Sequence, residues 1–170
     1  MNIPLPQERL EAVFDRVARE VTREATGICL YEGDIEPSGT LCTVYSEFRR
    51  GVDTSISLCA DAALFVRLAQ GMMQREDVTQ KDVEEYSKEY FNILCGHIAA
   101  GVHQETHVSP WFTPPEFYYG RYHPHGREIQ FSLHYKSDAA ENALLIHHTV
   151  RMYPEEPEDP SGPARNSGET

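Results

Sequence analysis

The segment of residues 79–105, which combines a helix-start signal with a long helical periodicity, constrains the fold of this chain more than any other feature. It begins with Thr79 and has Asp82 three residues later, a variant of the capping box that starts many helices. Apolar residues then recur close to one direction at helical spacing. They are Val83, Tyr90, Phe91, Leu94, Ile98, Gly101 and Val102. The stretch therefore predicts a helix that buries one face and ends at about residue 103 or 105.

The opposite face of this predicted helix is polar at one end and nearly bare at the other. It consists of Asp82, Glu85, Glu89, Asn92, Gly96, Ala100 and His103. Glu89 and Asn92 are one turn apart and point away from the core. Because Gly96, Ala99 and Ala100 have almost no side chain, a large surface can approach the helix backbone there. Taken as bare spacing, Glu-x-x-Asn is also typical of an ordinary solvated helix face.

Weaker patterns predict the other elements. Residues 6–22 have apolar positions at helical spacing, and residues 40–48 and 52–58 form a β-hairpin across Arg49-Arg50-Gly51. Asp61 is predicted to be the N-cap or a first-turn acid of a helix that runs to about residue 71. The remaining elements are a short strand at 28–31, a loop with at most a short strand at 107–126, and a second hairpin at 129–135 and 144–152.

This order of elements predicts an α+β fold with an antiparallel or mixed sheet of about five to six strands. The long helix and two shorter helices are expected to pack on the sheet. We assign residues 1–153 to one domain. Residues 154–170 are acidic and rich in proline, with no large apolar side chain. Since such a segment cannot bury enough apolar surface to offset its ordering entropy, we expect a disordered tail.

The composition excludes some classes of partner. The chain has 15 Lys and Arg against 27 Asp and Glu, a formal net charge of −12, whereas nucleic acids and anionic membranes bind basic surfaces. Neither a signal peptide nor an apolar stretch long enough to cross a bilayer is recognisable. The four cysteines are scattered, without a C-x-x-C pair. We therefore expect a cytoplasmic protein with reduced, mostly buried thiols.

The sequence lacks the common motifs for a nucleophile, a nucleotide or a catalytic zinc, namely G-x-S-x-G, the Walker A pattern and H-E-x-x-H. His103 and His107 are one turn apart, and His123 lies two residues before His125, but neither pair has a third clustered ligand. We predict no metal site and no cofactor of the chain's own. The aromatic residues in 111–122 leave a small-ligand binder as an alternative, although they are more typical of residues that close a core or a dimer interface.

The chain resembles the CheC/CheX/FliY family of chemotaxis phosphatases, and most closely the single-site CheX type. The family motif is an Asp or Ser, then Glu and Asn on the same helix, then Pro in the following loop. In this chain those positions hold Glu85, Glu89, Asn92 and Pro115. Gly96 matches a glycine that often follows the Asn, whereas Glu85 departs from the usual Asp or Ser. The first helix has no second Glu-x-x-Asn, which favours the single-site type.

The resemblance implies a CheX-like fold and a phosphatase that accelerates hydrolysis of the aspartyl phosphate on a CheY-type response regulator. Asn92 would orient the attacking water, and Glu89 would bind a lysine of the regulator. The residues that would contact the regulator are Glu85, Gly96, Ala99 and Ala100. Mg²⁺ would belong to the regulator, and the chain would form a homodimer. The alternative is a non-catalytic module of the same fold that binds a response regulator.

Overall fold

The computed structural model describes residues 5–49 and 54–150 of the 170-residue chain. These residues form three helices and seven strands. The helices are α1 (Gln7–Thr26), α2 (Ala62–Met73) and α3 (Gln80–Thr106). The strands are β1 (Leu30–Glu32), β2 (Leu41–Arg49), β3 (Thr54–Asp61), β4 (Trp111–Phe112), β5 (Glu116–Tyr119), β6 (Arg127–Ser137) and β7 (Asn142–Val150). The predicted tail at 154–170 and most of the predicted turn at 49–51 lie outside the described residues.

The strands form one antiparallel sheet in the order β1-β6-β7-β3-β2-β4, with β5 also paired to β2. Both predicted hairpins are present as β2–β3 and β6–β7, and β3 pairs with β7 at the centre of the sheet. The α+β fold is therefore confirmed. The sheet has more strands than predicted because residues 107–126 contribute two short ones, β4 and β5, rather than at most one.

A β-bulge interrupts the second hairpin. The register with β7 shifts between Ile129 and Phe131, so these two residues do not share a face as strict alternation predicts. Ile129 is 50% exposed, whereas Phe131 is 6% exposed and packs edge-on against Phe14 of α1. The core accordingly begins at Phe131 on this strand.

The three helices pack on one face of the sheet and on one another at close range. A Cβ atom built on Gly71 of α2 would lie 2.3 Å from the carbonyl oxygen of Thr26. On Gly101 of α3 it would lie 2.7 Å from a methyl carbon of Val13 in α1. Glycine at these two positions therefore permits the observed contact between helices. The core between helices and sheet includes Phe14, Phe65, Phe91, Leu94 and Ile98.

The ends of the shorter helices differ in part from the prediction. Helix α1 continues four residues beyond the predicted end and stops where Gly27 adopts a positive φ of 79°. Asp61 does precede α2, but its side chain makes no capping hydrogen bond. Its carboxylate instead accepts a hydrogen bond from the backbone N–H of Asn142 at 2.8 Å. The predicted N-cap position of Asp61 is therefore confirmed, but its carboxylate connects β3 to the start of β7 instead of capping α2.

Candidate functional site

The helix α3 carries the predicted site on the face opposite the core. Its start has the predicted capping box: Thr79 Oγ1 accepts from the N–H of Asp82, and the Asp82 carboxylate accepts from the N–H of Thr79. These hydrogen bonds hold the pKa of Asp82 below its usual value. All seven residues predicted for the apolar face are buried. The direction of the polar face is therefore fixed by packing along the whole helix.

Glu89 and Asn92 project from this polar face. Both side chains are exposed and lie one turn apart, a spacing that places Cβ atoms about 5–6 Å from each other. Among the described residues, neither side chain has a hydrogen bond or an ion pair with the rest of the chain. A carboxylate and an amide thus stand side by side on a rigid helix, with their hydrogen-bonding capacity available to another molecule.

The other predicted contact residues surround this pair. Glu85 is exposed and lies one turn before Glu89. Gly96 and Ala99 are half-buried, and Ala100 is exposed. A Cβ atom built on Gly96 would meet nothing within 4 Å, in contrast to Gly101 on the buried side of the same helix. The structure thus brings the predicted residues onto one continuous face, on which the backbone is open at Gly96.

The segment after α3 returns along the helix. It begins after the C-terminal end of α3, passes through β4 and β5, and ends beside the first turns of the same helix. There the Tyr119 hydroxyl accepts from Gln80 Nε2 at 2.9 Å and donates to the Glu84 carboxylate. The hydrogen bond to Glu84 raises the pKa of Tyr119. Pro115, the last motif residue, lies between β4 and β5 on this returning segment.

Two features near the site were not predicted from the sequence. One is the contact of Tyr119 with α3, which depends on the unpredicted strand β5. The other is an ion pair between Lys88 Nζ and Glu85 Oε2 at 3.9 Å. The sequence does contain a signal for this ion pair, since Glu85 and Lys88 are three residues apart on a predicted helix and residues at that spacing are neighbours.

Three other titratable side chains of α3 are buried or contact neighbouring residues of the fold. Burial raises the pKa of Cys95 and raises that of Tyr90 to about 12, so both are protonated at neutral pH. The Tyr90 hydroxyl is hydrogen-bonded to Thr22 Oγ1 at 2.7 Å. The His103 and His107 rings meet edge-on with centroids 6.0 Å apart, and His103 Nδ1 lies 3.1 Å from Ser109 Oγ. Within residues 5–49 and 54–150, no three His, Cys, Asp or Glu side chains are grouped so that they could hold a metal ion.

Three of the six aromatic residues of 111–122 pack against the sheet or α2, whereas Trp111, Tyr118 and Tyr119 are about half-exposed. Phe112 stacks on Phe48, Phe117 packs edge-on against Phe65, and Tyr122 stacks on Tyr45 with ring centroids 3.8 Å apart. Phe112 and Phe117 pack against the core, which favours the interpretation that this segment closes the core over the interpretation as a small-ligand binder. Across the part of the chain that the structure describes, no helix is apolar over a bilayer-spanning length.

Comparison with known sequences identifies the family. The sequence profile of chemotaxis phosphatase CheX matches residues 42–133, a range that contains all of α3. The chain belongs to the CheX family. This confirms the resemblance inferred from the motif on α3. No curated protein sequence matches the chain.

Solved structures of CheX proteins share the fold of this family member at low sequence identity. The CheX protein of Desulfovibrio desulfuricans is 14% identical, with a TM-score of 0.67 over 81% of this chain and 97% of that one. CheX in the CheX–CheY–BeF3–Mg²⁺ complex of Borrelia burgdorferi is 18% identical, with a TM-score of 0.62 over 86% of this chain and 97% of that one. FliY of Thermotoga maritima is 14% identical, with a TM-score of 0.58 over 88% of this chain and 93% of that one. At such identities the likeness establishes the fold.

Proposed function

We propose that this CheX-family protein accelerates hydrolysis of the aspartyl phosphate on a CheY-type response regulator in the cytoplasm. One observation carries the proposal: Glu89 and Asn92 match the family motif and are exposed, adjacent and without a partner among the described residues. The family profile and the Borrelia complex, which joins a CheX to a CheY, support the same partner class. The regulator's phosphorylated site would meet the polar face of α3.

Asn92 is the residue that acts on water. An acyl phosphate already has a good leaving group, so no enzyme nucleophile is required. Water oxygen forms the new bond to phosphorus, the bond to the aspartyl oxygen breaks, and its electron pair leaves with the aspartate carboxylate. The protons of the water pass to phosphate and solvent. A neutral amide can hold that water in line with the breaking bond without repelling the phosphoryl group.

Glu89 is the residue that binds the regulator. A carboxylate would be repelled by the phosphoryl group, but it can accept a charge-assisted hydrogen bond from a lysine. Mg²⁺ would be held by the regulator, consistent with its presence in the Borrelia complex. The open backbone at Gly96 and the small side chains of Ala99 and Ala100 leave room for the regulator to lie close to α3.

The test follows the decay of the aspartyl phosphate on a panel of CheY-type receiver domains, with and without the full chain. Asn92→Ala should lower the stimulated rate by about 100-fold or more, since a misplaced water costs rates of that order. Gln104→Ala is the matched control, because it removes an exposed amide from the same helix, three turns away. An Asn92→Ala protein as active as the wild type would refute the role of Asn92.

Glu89→Ala tests the docking role separately. Removing one partner of an interfacial charge pair should weaken receiver binding by about 2 kcal/mol, measured by titration calorimetry. Glu24→Ala, which removes an exposed carboxylate from α1, should bind like the wild type. Binding of a phosphorylated receiver without any faster decay would instead support a non-catalytic module. The homodimer stays a prediction, to be measured by light scattering.

A further inference from the structure

One cation lies beside Asn92 on the polar face of α3. Lys88 precedes Asn92 by four residues and is the only Lys or Arg between Lys81 and the end of α3 at Thr106. Residues at this spacing have Cβ atoms about 5–6 Å apart, a distance that a lysine side chain can span. The ammonium of Lys88 can therefore reach the group on which Asn92 acts.

The contacts of Lys88 leave its ammonium able to bind a second partner. Its side chain is 36% exposed, and Nζ lies 3.9 Å from Oε2 of Glu85, which is 58% exposed. An ammonium has three N–H donors, and a 3.9 Å ion pair leaves most of them unused, so Lys88 can bind a second acceptor while it stays beside Glu85. Glu85 stands where the family motif has Asp or Ser. A serine could not form this ion pair, and an aspartate would have a shorter reach.

The polar face of α3 is otherwise negative, so a cation beside Asn92 would offset repulsion of the phosphoryl group. Glu85 and Glu89 both bring negative charge towards a docked regulator, and the whole chain has a net charge of −12. A phosphoryl group in transfer carries its charge on three oxygens, which a lysine can stabilise. Lys88 is the one cation near enough to Asn92 to do so from this helix, because Lys81 is eleven residues away, about 16 Å along the axis.

We propose that Lys88 contacts the phosphoryl oxygens of the docked regulator and that Glu85 positions its ammonium. The proposal rests on the proposed function, and it adds a charged contact at the same site. Lys88 neither gains nor loses a proton in the reaction. Glu85 is then a positioning residue that acts through Lys88 rather than on the regulator itself.

The test uses the full chain with Lys88→Met, Lys88→Arg and, as the matched control, Lys81→Met. Two quantities are measured: kcat for decay of the receiver's aspartyl phosphate, and the affinity for a receiver loaded with BeF3 and Mg²⁺ relative to the unloaded receiver. Lys88→Met should lower kcat about tenfold and reduce the preference for the loaded receiver. Lys88→Arg should retain most of both, and Lys81→Met should stay within about twofold of the wild type.

A double-mutant cycle tests Glu85. Glu85→Gln should lower kcat in the wild-type background and have no further effect in the Lys88→Met background. Equal effects of Glu85→Gln in both backgrounds would show that Glu85 does not act through Lys88. A substitution that damages the fold would lower the melting temperature, so the melting temperature of each variant is also measured.

The outcomes separate this proposal from the proposed function. Lys88→Met with the kcat and the receiver preference of the wild type overturns the role of Lys88, even when Asn92→Ala is inactive. A wild-type protein that does not accelerate decay, but prefers the loaded receiver through Lys88, refutes the catalysis and supports the contact. A wild-type protein with neither binding nor turnover on the panel overturns both.

Discussion

Replacement of Gly96 by alanine should make the protein more stable and less active. A glycine inside a helix costs about 1 kcal/mol relative to alanine because it loses more backbone entropy on folding. At Gly71 and Gly101 that cost has a structural reason, since a methyl group would collide with the backbone of Thr26 or the side chain of Val13. At Gly96 a methyl group would meet nothing within 4 Å. The chain's own packing therefore does not require glycine there.

The expected magnitudes follow from these distances. Gly96→Ala should raise the free energy of unfolding by about 1 kcal/mol, or the melting temperature by about 3 °C for a chain of this length. Gly101→Ala makes the same gain in backbone entropy but places its methyl group 2.7 Å from Val13 Cγ1. Because overpacking costs about 1–3 kcal/mol, Gly101→Ala should be neutral or destabilising by up to about 2 kcal/mol.

The assay combines urea unfolding, followed by circular dichroism, with decay of the receiver's aspartyl phosphate. Gly96→Ala should slow the stimulated decay although it stabilises the fold, and Gly96→Leu should slow it further. A Gly96→Ala protein that is less stable than the wild type would show that this face of α3 is not open. A Gly96→Leu protein with full activity would show that the regulator does not approach α3 at this turn.

Two further predictions concern stability. His147 is 3% exposed between Phe14 and Phe131, and burial lowers its pKa to about 4 from 6.5. The unfolded chain therefore binds a proton at His147 more readily than the folded chain does. As a result, the contribution of neutral His147 to the free energy of unfolding is complete above about pH 6.5, and it falls by about 2 kcal/mol between pH 7 and 5. His147→Leu should remove that part of the pH dependence in urea unfolding, and an unchanged dependence would contradict the assignment. Thr79→Ala, which breaks the capping box with Asp82, should cost about 1 kcal/mol in the same assay, and no loss would refute the contribution of the cap.

Local patterns predicted the helix that carries the site. The capping box at Thr79 and the spacing of buried residues both depend on contacts within one element, so they can be recognised in the sequence. The same spacing placed Glu89 and Asn92 on the exposed face. The hairpins were equally accessible, because alternation along β2, β3, β6 and β7 reflects the two faces of a sheet.

Features that depend on distant neighbours were not predicted. Strands β4 and β5 have two and four residues within 107–126, a segment with four prolines, and they form because the edge of β2 supplies hydrogen-bonding partners. The carboxylate of Asp61 bonds to Asn142, 81 residues along the chain, rather than to its own helix. The bulge in β6 is a property of its register with β7. In each case the partner is distant in the sequence and leaves no local pattern.

Helix α3 has one buried face that stabilises the fold and one exposed face that carries the candidate site. Tyr90 and Phe91, which directly follow Glu89 and precede Asn92, are almost completely buried. Because successive residues on a helix differ in direction by about 100°, Tyr90 and Phe91 point into the core while Glu89 and Asn92 point towards solvent. Tyr90 is further held by its hydrogen bond to Thr22 of α1. The positions of the Glu89 and Asn92 backbones are thus set by residues that no regulator can touch, while their side chains contribute nothing to the core. A site built in this way can change its partner by substitution on one face without loss of the fold.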